Sequence, residues 1–461
     1  MNVSMVLTAM LPEHLLLAGI VMLLVREVTA GKPRAAVWVA LAAVYAAATA
    51  ALALALQGYA AAPFPGQLSV APPALLAKAI LLGLAVPVLL ISRDEFPDRQ
   101  FHILTLSALY GACLMVSADS FLTLFLGIEL LSLPVYVLVL LAFRRPESAE
   151  AALKYLVLGG TASATLLMGA SLLYGWSGTL ELVAFARALG SSDPLAVAGA
   201  LLVLVAFFLK AAVAPFHAWA PDAYEGASVP VTTFMAVIVK SAVLLAAVRL
   251  FGAAPLSAPM VGVVALLPLV SIVWGNLAAM RQPGLRRMIA YSSIAHAGYL
   301  FYAFLGEAGT RFEAVAFYLL AYGVMNILAF SSLPPHADDA ARDRLDNLKG
   351  LFQRRPYAAV TIAIAMLSLA GLPPFPGFIA KFLIFKNVIT AGYTLYAVLG
   401  LVGSYLGIYF YLRVVQYLFM SAEEATPSRA SPGALAFGAG AICLAAGVVM
   451  AVLPGWVLGL L

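Results

Sequence analysis

The run Ala206-Phe-Phe-Leu-Lys210-Ala-Ala-Val-Ala-Pro215-Phe-His217-Ala-Trp219 sets a lysine inside an apolar helix and follows it with a proline break. A charged side chain at bilayer depth costs about 2.5–3.5 kcal/mol on insertion scales, so such residues are kept for ion or proton handling. A broken helix at that depth is tolerated only where protein or a water-lined cavity receives the freed backbone groups. Charge and break together point to a transport site. Glu129, Lys154, Lys240 and Lys381 share the same apolar setting.

The rest of the chain supports a membrane setting for this run. Of 461 residues, 64% are hydrophobic and only 10% are charged, which no soluble domain of this length could enclose. Apolar runs of about 20 residues are needed to cross the hydrocarbon core. About fourteen occur, near 8–26, 35–57, 70–92, 101–118, 120–143, 148–174, 195–218, 228–252, 258–280, 285–305, 311–333, 356–389, 392–418 and 433–459. Their length decides for helices, since barrel strands would be about 10 residues long and alternating. The expected fold is an all-α polytopic membrane protein. Cys113 and Cys443 lie in apolar runs and suggest neither a disulfide nor a metal site. The net charge of +5 does not imply nucleic acid, because the basic residues collect in loops. The N-terminus lacks a basic segment, and Glu13-His14 interrupts its apolar stretch, which argues against a cleavable signal.

Loop charge gives orientation. Alternate loops on one side hold 16 lysines and arginines, and those on the other hold only Arg187, Arg249 and Arg311. By the positive-inside rule both termini face away from the cytoplasm. The polar stretch 336–355, with Asp338, Asp339, Arg342, Asp343, Arg344 and Lys349, reads as a cytoplasmic connector or docking surface.

Glu129 and Lys154 fall on adjacent antiparallel spans, where an acid and a base can neutralise each other. The pair is either a static aid to assembly or a device that tunes a nearby lysine, whose proton affinity an opposite charge raises and desolvation lowers. Lys210 and Lys240 lie near mid-depth, too far from the span ends to snorkel comfortably. Lysine suits proton transfer better than arginine, because burial can bring it towards neutrality. His217, just past Pro215, and His296, within Tyr291-Ser-Ser-Ile-Ala-His-Ala-Gly-Tyr299, can relay protons. A second break, Leu367-Ser-Leu-Ala-Gly371-Leu-Pro-Pro374-Phe-Pro-Gly377-Phe-Ile-Ala-Lys381, again joins prolines, glycines and a lysine. Interrupted spans 7 and 12, an odd number apart, point to two inverted repeats. The symmetry is inexact, because Lys210 precedes its break and Lys381 follows its own. Lys78 and Arg413 are weaker candidates for intramembrane pairs or contacts to a neighbouring subunit. Asp222 and Glu225 read as loop residues, Lys386 as snorkelling, and Glu13 with His14 as reaching the interface.

Several of these segments carry a resemblance. Ala151-Ala-Leu-Lys-Tyr155, Pro215-Phe-His-Ala-Trp-Ala-Pro-Asp-Ala-Tyr-Glu-Gly226, Ala290-Tyr-Ser-Ser-Ile-Ala-His-Ala-Gly-Tyr299, Leu345-Asp-Asn-Leu-Lys-Gly350 and Leu367-Ser-Leu-Ala-Gly-Leu-Pro-Pro374 resemble the antiporter-like membrane subunits of respiratory complex I over about residues 100 to 420. A lysine at 381 is similar to the N and L chain types rather than the M type, which has a glutamate there. The sequence stops at Leu461 after one final span, without the long lateral helix of the L type, which leaves the N type.

The resemblance implies a proton-translocating subunit of NADH:quinone oxidoreductase, driven by quinone reduction elsewhere. It implies that NADH, FMN, iron–sulfur clusters and quinone belong to other subunits, with no cofactor or metal on this chain. Its partners would be the other membrane subunits, through them the redox arm, and the bilayer of a bacterial inner membrane. It also implies roles: Glu129 and Lys154 as the modulating pair, Lys210 as the first central lysine, Lys240 as the link between halves, His296 as a relay and Lys381 as the second central lysine. The expected division is an N-terminal three-helix segment (1–100), a first repeat (101–252), a second repeat (253–418) and a C-terminal span (419–461). A subunit of a cation/proton antiporter or of a membrane-bound hydrogenase is the alternative. Sodium, however, wants several oxygen ligands, and the charged interior is mostly lysine with one clear carboxylate.

Overall fold

In lipid every backbone N–H and C=O needs an internal partner, so each long apolar run is driven to form a helix. The computed structural model describes residues 3–29, 35–96, 99–141, 146–333, 344–421 and 433–461. The first third comprises α1 (Val3–Ala9), α2 (Leu11–Val28), α3 (Ala36–Leu56), an antiparallel hairpin of β1 (Ala61–Phe64) and β2 (Leu68–Val70), α4 (Pro72–Ser92), α5 (Arg99–Val116) and α6 (Phe121–Leu140). There follow α7 (Pro146–Ser177), α8 (Val183–Leu189), α9 (Pro194–Ala211), α10 (Trp219–Gly226), and α11 (Val229–Phe234) joined through a π-turn at Met235–Val239 to α12 (Lys240–Phe251). The remainder is α13 (Ala258–Ala279), α14 (Leu285–Tyr302), α15 (Ala308–Ser331), α16 (Leu351–Arg354), α17 (Pro356–Ala370), α18 (Pro376–Thr390), α19 (Thr394–Phe419), α20 (Ala434–Val452) and α21 (Pro454–Leu460).

Helices stand at each of the fourteen places expected from the sequence. Among the described residues, ten are long and apolar enough to cross a membrane, or eleven if α1 and α2, bent by 78°, count as one span. The others fall short for visible reasons. Helix α5 counts over Gln100–Val116 among the described residues, the helix at 356–389 is broken into α17 and α18, and α14 carries Arg286, Arg287, Ser292, Ser293 and His296. Of the polar stretch 336–355, Asp338, Asp339, Arg342 and Asp343 lie outside the described residues. From Arg344 onward the chain packs back on the bundle, with Leu345 N donating to Pro283 O at 2.8 Å and Gly350 N to Tyr417 O at 3.2 Å.

The two breaks share one geometry. At the end of α9, Ala212 turns left-handed (φ 59°), and its N–H and that of Val213 close back on Leu209 O and Phe208 O at 3.3 and 2.9 Å. At the end of α17, Gly371 (φ 84°) and Leu372 close back on Ser368 O and Leu367 O at 2.9 and 3.2 Å. These are αL caps, which return orphan carbonyls to partners and normally require glycine. The two caps lie 159 residues apart (212 to 371).

Helix pairs α5–α6 and α13–α14 also correspond. A methyl group on Gly111 would collide with the backbone of Gly127 and Leu131, and one on Gly275 with that of Tyr291 and Ala295. All three positions shift by the same 164 residues (111 to 275, 127 to 291, 131 to 295). Small residues let backbones touch where lipid supplies no hydrophobic drive for association. The same shift sets Ser293 in the place of Glu129, and His296 in that of Ser132.

The most enclosed spans are Val229–Phe251 and Ala308–Ser331, each 94% buried over its central window, whereas Ala36–Leu56 and Ala434–Val452 are 33% buried. The core of the bundle therefore lies around Lys240, between the two breaks.

Candidate functional site

Lys210 sits in the last turn of α9, just before the left-handed cap, and is 9% exposed. Its Nζ donates to Ser132 Oγ at 3.1 Å and Tyr136 OH at 3.4 Å, both on α6, and stands 3.8 Å from Glu129 Oε1. Glu129 also accepts a hydrogen bond from Ser163 of α7. The lysine thus has two neutral hydroxyls at hydrogen-bond distance and one carboxylate just beyond it. A small movement of α6 or α7 would change how strongly the ammonium form is favoured.

The sequence pairs Glu129 with Lys154 by their adjacent spans, and the structure corrects this. Lys154 donates to Asp222 Oδ2 at 2.6 Å and pairs with Glu150 at 2.7 Å. Helical rise explains the difference: Lys154 lies nine residues before Ser163, the α7 residue level with Glu129, or about 13 Å along the axis. Lys154 is also the least buried of the expected lysines, its side chain 44% exposed. Asp222, which the sequence places in a loop, is instead the centre of a charge cluster. Arg287 donates to Asp222 Oδ1 at 2.8 Å and to Glu225 Oε2 at 2.7 Å, so α7, α10 and α14 are tied together. Burial alone would raise the carboxyl of Asp222, but hydrogen bonds from Lys154 and Arg287 outweigh it and hold the group below the usual carboxylate range. The shift of 159 residues between the two caps also sets Asp222 in the place of Lys381, and Leu369 in that of Lys210. The sequence signal for Asp222 is present in Pro221-Asp-Ala-Tyr-Glu225, two acids three residues apart just past a break.

Lys240 begins α12 directly after the π-turn and is 4% exposed. Its Nζ donates to the carbonyl and the hydroxyl of Ser293 on α14 and lies 5.9 Å over the ring of Tyr322. Ser293 Oγ is 3.3 Å from Tyr224 OH of α10. A π-turn within a helix shifts the register of the residues after it and is frequent at functional sites.

His296 follows one turn on along α14 and is held by two tyrosines. Its Nδ1 is 2.7 Å from Tyr318 OH and its Nε2 is 3.1 Å from Tyr411 OH, which in turn contacts Ser292. Lys381, in α18, is 8% exposed and donates to Ala370 O at 2.8 Å and Ser404 Oγ at 2.9 Å. It lies 5.0 Å over Tyr299, whose hydroxyl accepts from Asn276 Nδ2 at 3.0 Å. A cavity of about 540 Å³ between α18 and α19, lined by Gly371, Phe378, Phe382, Ser404 and Tyr405, reaches this lysine. His217 does not join Lys210. Its ring accepts from Trp274 Nε1 of α13 at 2.9 Å and is partly exposed.

Two weaker candidates are also resolved. Arg413 donates to Met280 O and Gln282 O at 2.7 and 2.6 Å, so it closes the C-terminal end of α13. Glu13, expected at the interface, is fully buried 2.6 Å from Lys78, where α2 packs against α3 and α5.

The family described as NADH:quinone oxidoreductase/Mrp antiporter, transmembrane, matches residues 118–407. NADH-quinone oxidoreductase subunit N of Pelobacter propionicus is 39% identical over 91% of this chain and 90% of its own. The chain belongs to the subunit N family. Another member, from Chloroflexus aggregans, is 39% identical over 81% of this chain and 80% of its own. Among solved structures, a chain of respiratory complex I from Thermus thermophilus superposes with TM-score 0.84 at 35% identity, covering 97% of this chain and 98% of that one. The same fold occurs, at 24% identity and TM-score 0.85, in an archaeal membrane-bound sulfane sulfur reductase (98% and 96% covered). It recurs at 20% identity and TM-score 0.81 in the Mrp complex of Dietzia (98% and 96% covered). Those two matches concern the fold alone. As a member of the family, the chain is a multi-pass subunit of the NADH:quinone oxidoreductase type.

Proposed function

We propose that this chain moves protons across the membrane through Lys210, Lys240, His296 and Lys381, within a NADH:quinone oxidoreductase whose redox chemistry lies in other subunits. The observation that carries the reading is the setting of Lys210. A nearly buried ammonium touches only neutral hydroxyls at hydrogen-bond distance, while its carboxylate Glu129 stands at 3.8 Å. That arrangement lets a modest displacement load or unload the lysine. Glu129 is the tuning acid in this account. The Lys154–Asp222–Arg287 cluster sits at the end of α7 where, by loop charge, the cytoplasm lies. His217, held by Trp274 and apart from Lys210, is assigned no step in this reading.

NADH, FMN, iron–sulfur clusters and quinone are assigned to partner subunits, and this chain is a non-redox part of the translocase. It sits in the bacterial inner membrane with both termini on the non-cytoplasmic side. Residues 101–252 and 253–418 form the two inverted repeats, flanked by the three-helix segment 1–100 and the final span 419–461. The matching caps and the matching α5–α6 and α13–α14 contacts support this division. The test is Lys210→Ala in the purified complex reconstituted in vesicles. Protons moved per NADH oxidised should fall while the complex stays assembled, and an unchanged ratio would remove Lys210 from the path.

A further inference from the structure

We propose that Glu13 and Lys78 form a further proton-exchange site, buried among the N-terminal helices and outside the elements that carry Lys210, Lys240 and Lys381. The proposal rests on the transport reading above. Lys78 Nζ lies 2.6 Å from Glu13 Oε1, and both side chains are completely enclosed. Beyond each other, neither the two carboxylate oxygens of Glu13 nor Nζ of Lys78 has a hydrogen-bond partner among the described residues.

Stability does not account for such a pair. Two charges taken out of water need a full set of hydrogen bonds to recover their desolvation cost, and an apolar pair of similar volume is commonly as stable or more so. Buried ionisable groups at membrane depth are functional by default. The chemistry available to the pair is simple. One proton can pass from the ammonium of Lys78 to the carboxylate of Glu13, giving amine and carboxylic acid with no change in net charge. An incoming proton taken by the carboxylate leaves Lys78 as a buried cation without its counter-charge, so the lysine gives up its proton while the acid is neutral and takes one back when the acid reionises.

The helices around the pair connect it to the segment that carries Lys240. Helix α1 packs on β1 beside the start of α2, and Tyr59 OH, just before the hairpin, donates to Met5 O at 3.5 Å. Tyr110 and Cys113 of α5 are the ionisable groups that feel the charge of Glu13, and His14 is its chain neighbour. Helix α4, which carries Lys78, packs on the π-turn that leads into Lys240. A methyl on Gly323 of α15 would meet both Leu84 of α4 and Val237 of that turn. A change of charge at Lys78 is therefore borne by a helix in direct contact with the Lys240 segment.

The experiment compares whole complexes carrying Glu13→Gln/Lys78→Met, Lys78→Arg alone, or Lys210→Ala, each reconstituted in lipid vesicles. Arginine keeps the charge but does not give up its proton. The expected result is assembled complex with fewer protons moved per NADH oxidised in both the double variant and Lys78→Arg. A wild-type ratio in both would overturn the proposal. So would failure of both to assemble, which would make the pair a structural requirement. A normal ratio in Lys210→Ala would count against the transport reading itself, independently of the pair.

Discussion

At the scale of single residues, the site is governed by what each buried lysine touches. Lys210 has a carboxylate at 3.8 Å, whereas Lys240 and Lys381 are held by hydroxyls and carbonyls alone among the described residues. Removing the one charge partner should therefore act on the first lysine only. Glu129→Gln is expected to slow turnover and to change its pH profile, while leaving the complex assembled. An unchanged rate and profile would make Glu129 a static contact. Asp222 supports a prediction with a definite sign. Its folded-state pKa is depressed, so the stability it contributes is present above the ordinary carboxylate value of 3.8 and is lost only as pH falls through the lower folded value. Its partners are partly exposed, which limits the contribution to about 1 kcal/mol. Asp222→Asn should therefore lower the melting temperature of the complex equally at pH 5 and pH 8. A difference that disappears by pH 5 would contradict the assigned shift.

At the scale of elements, the two αL caps decide where the central lysines end up. Gly371 needs its positive φ, and a methyl there would also press on the aliphatic chain of Lys381. Gly371→Ala should cost about 1–2 kcal/mol from the left-handed conformation alone. It should also displace Lys381, seen as a lower melting temperature together with reduced proton movement; a normal value of both would show that the cap has no such role. These breaks were legible from sequence, because proline and glycine end a helix and a lysine beside them in an apolar run needs polar company at that depth. Partner choice was not. The Glu129–Lys154 pairing followed from adjacent antiparallel spans, but nine residues of helical rise separate the two levels, and such a depth cannot be read without knowing helix register. Glu13 was misplaced for a related reason: its burial depends on how α2 packs against α3 and α5, which a run of apolar residues does not specify. The correspondence of Asp222 with Lys381 became visible only once both caps were fixed.

At the scale of the whole molecule, composition alone gave a helical membrane protein, and the ordered motifs gave the family. The bundle is arranged so that its most enclosed spans carry Lys240 and Tyr318, one of the two tyrosines that hold His296, while the broken spans lie on either side. In the topology proposed from loop charge, both termini lie away from the cytoplasm. A membrane-impermeant thiol reagent should accordingly label a cysteine introduced near Leu461 in intact cells, and labelling only after permeabilisation would reverse the topology. In the proposed function, protons cross through the buried lysines of this chain. The most direct test is the ratio of protons moved to NADH oxidised in vesicles containing the complex with Lys210→Ala. An assembled complex with a lowered ratio is expected, and an assembled complex with the wild-type ratio would show that protons do not cross through Lys210.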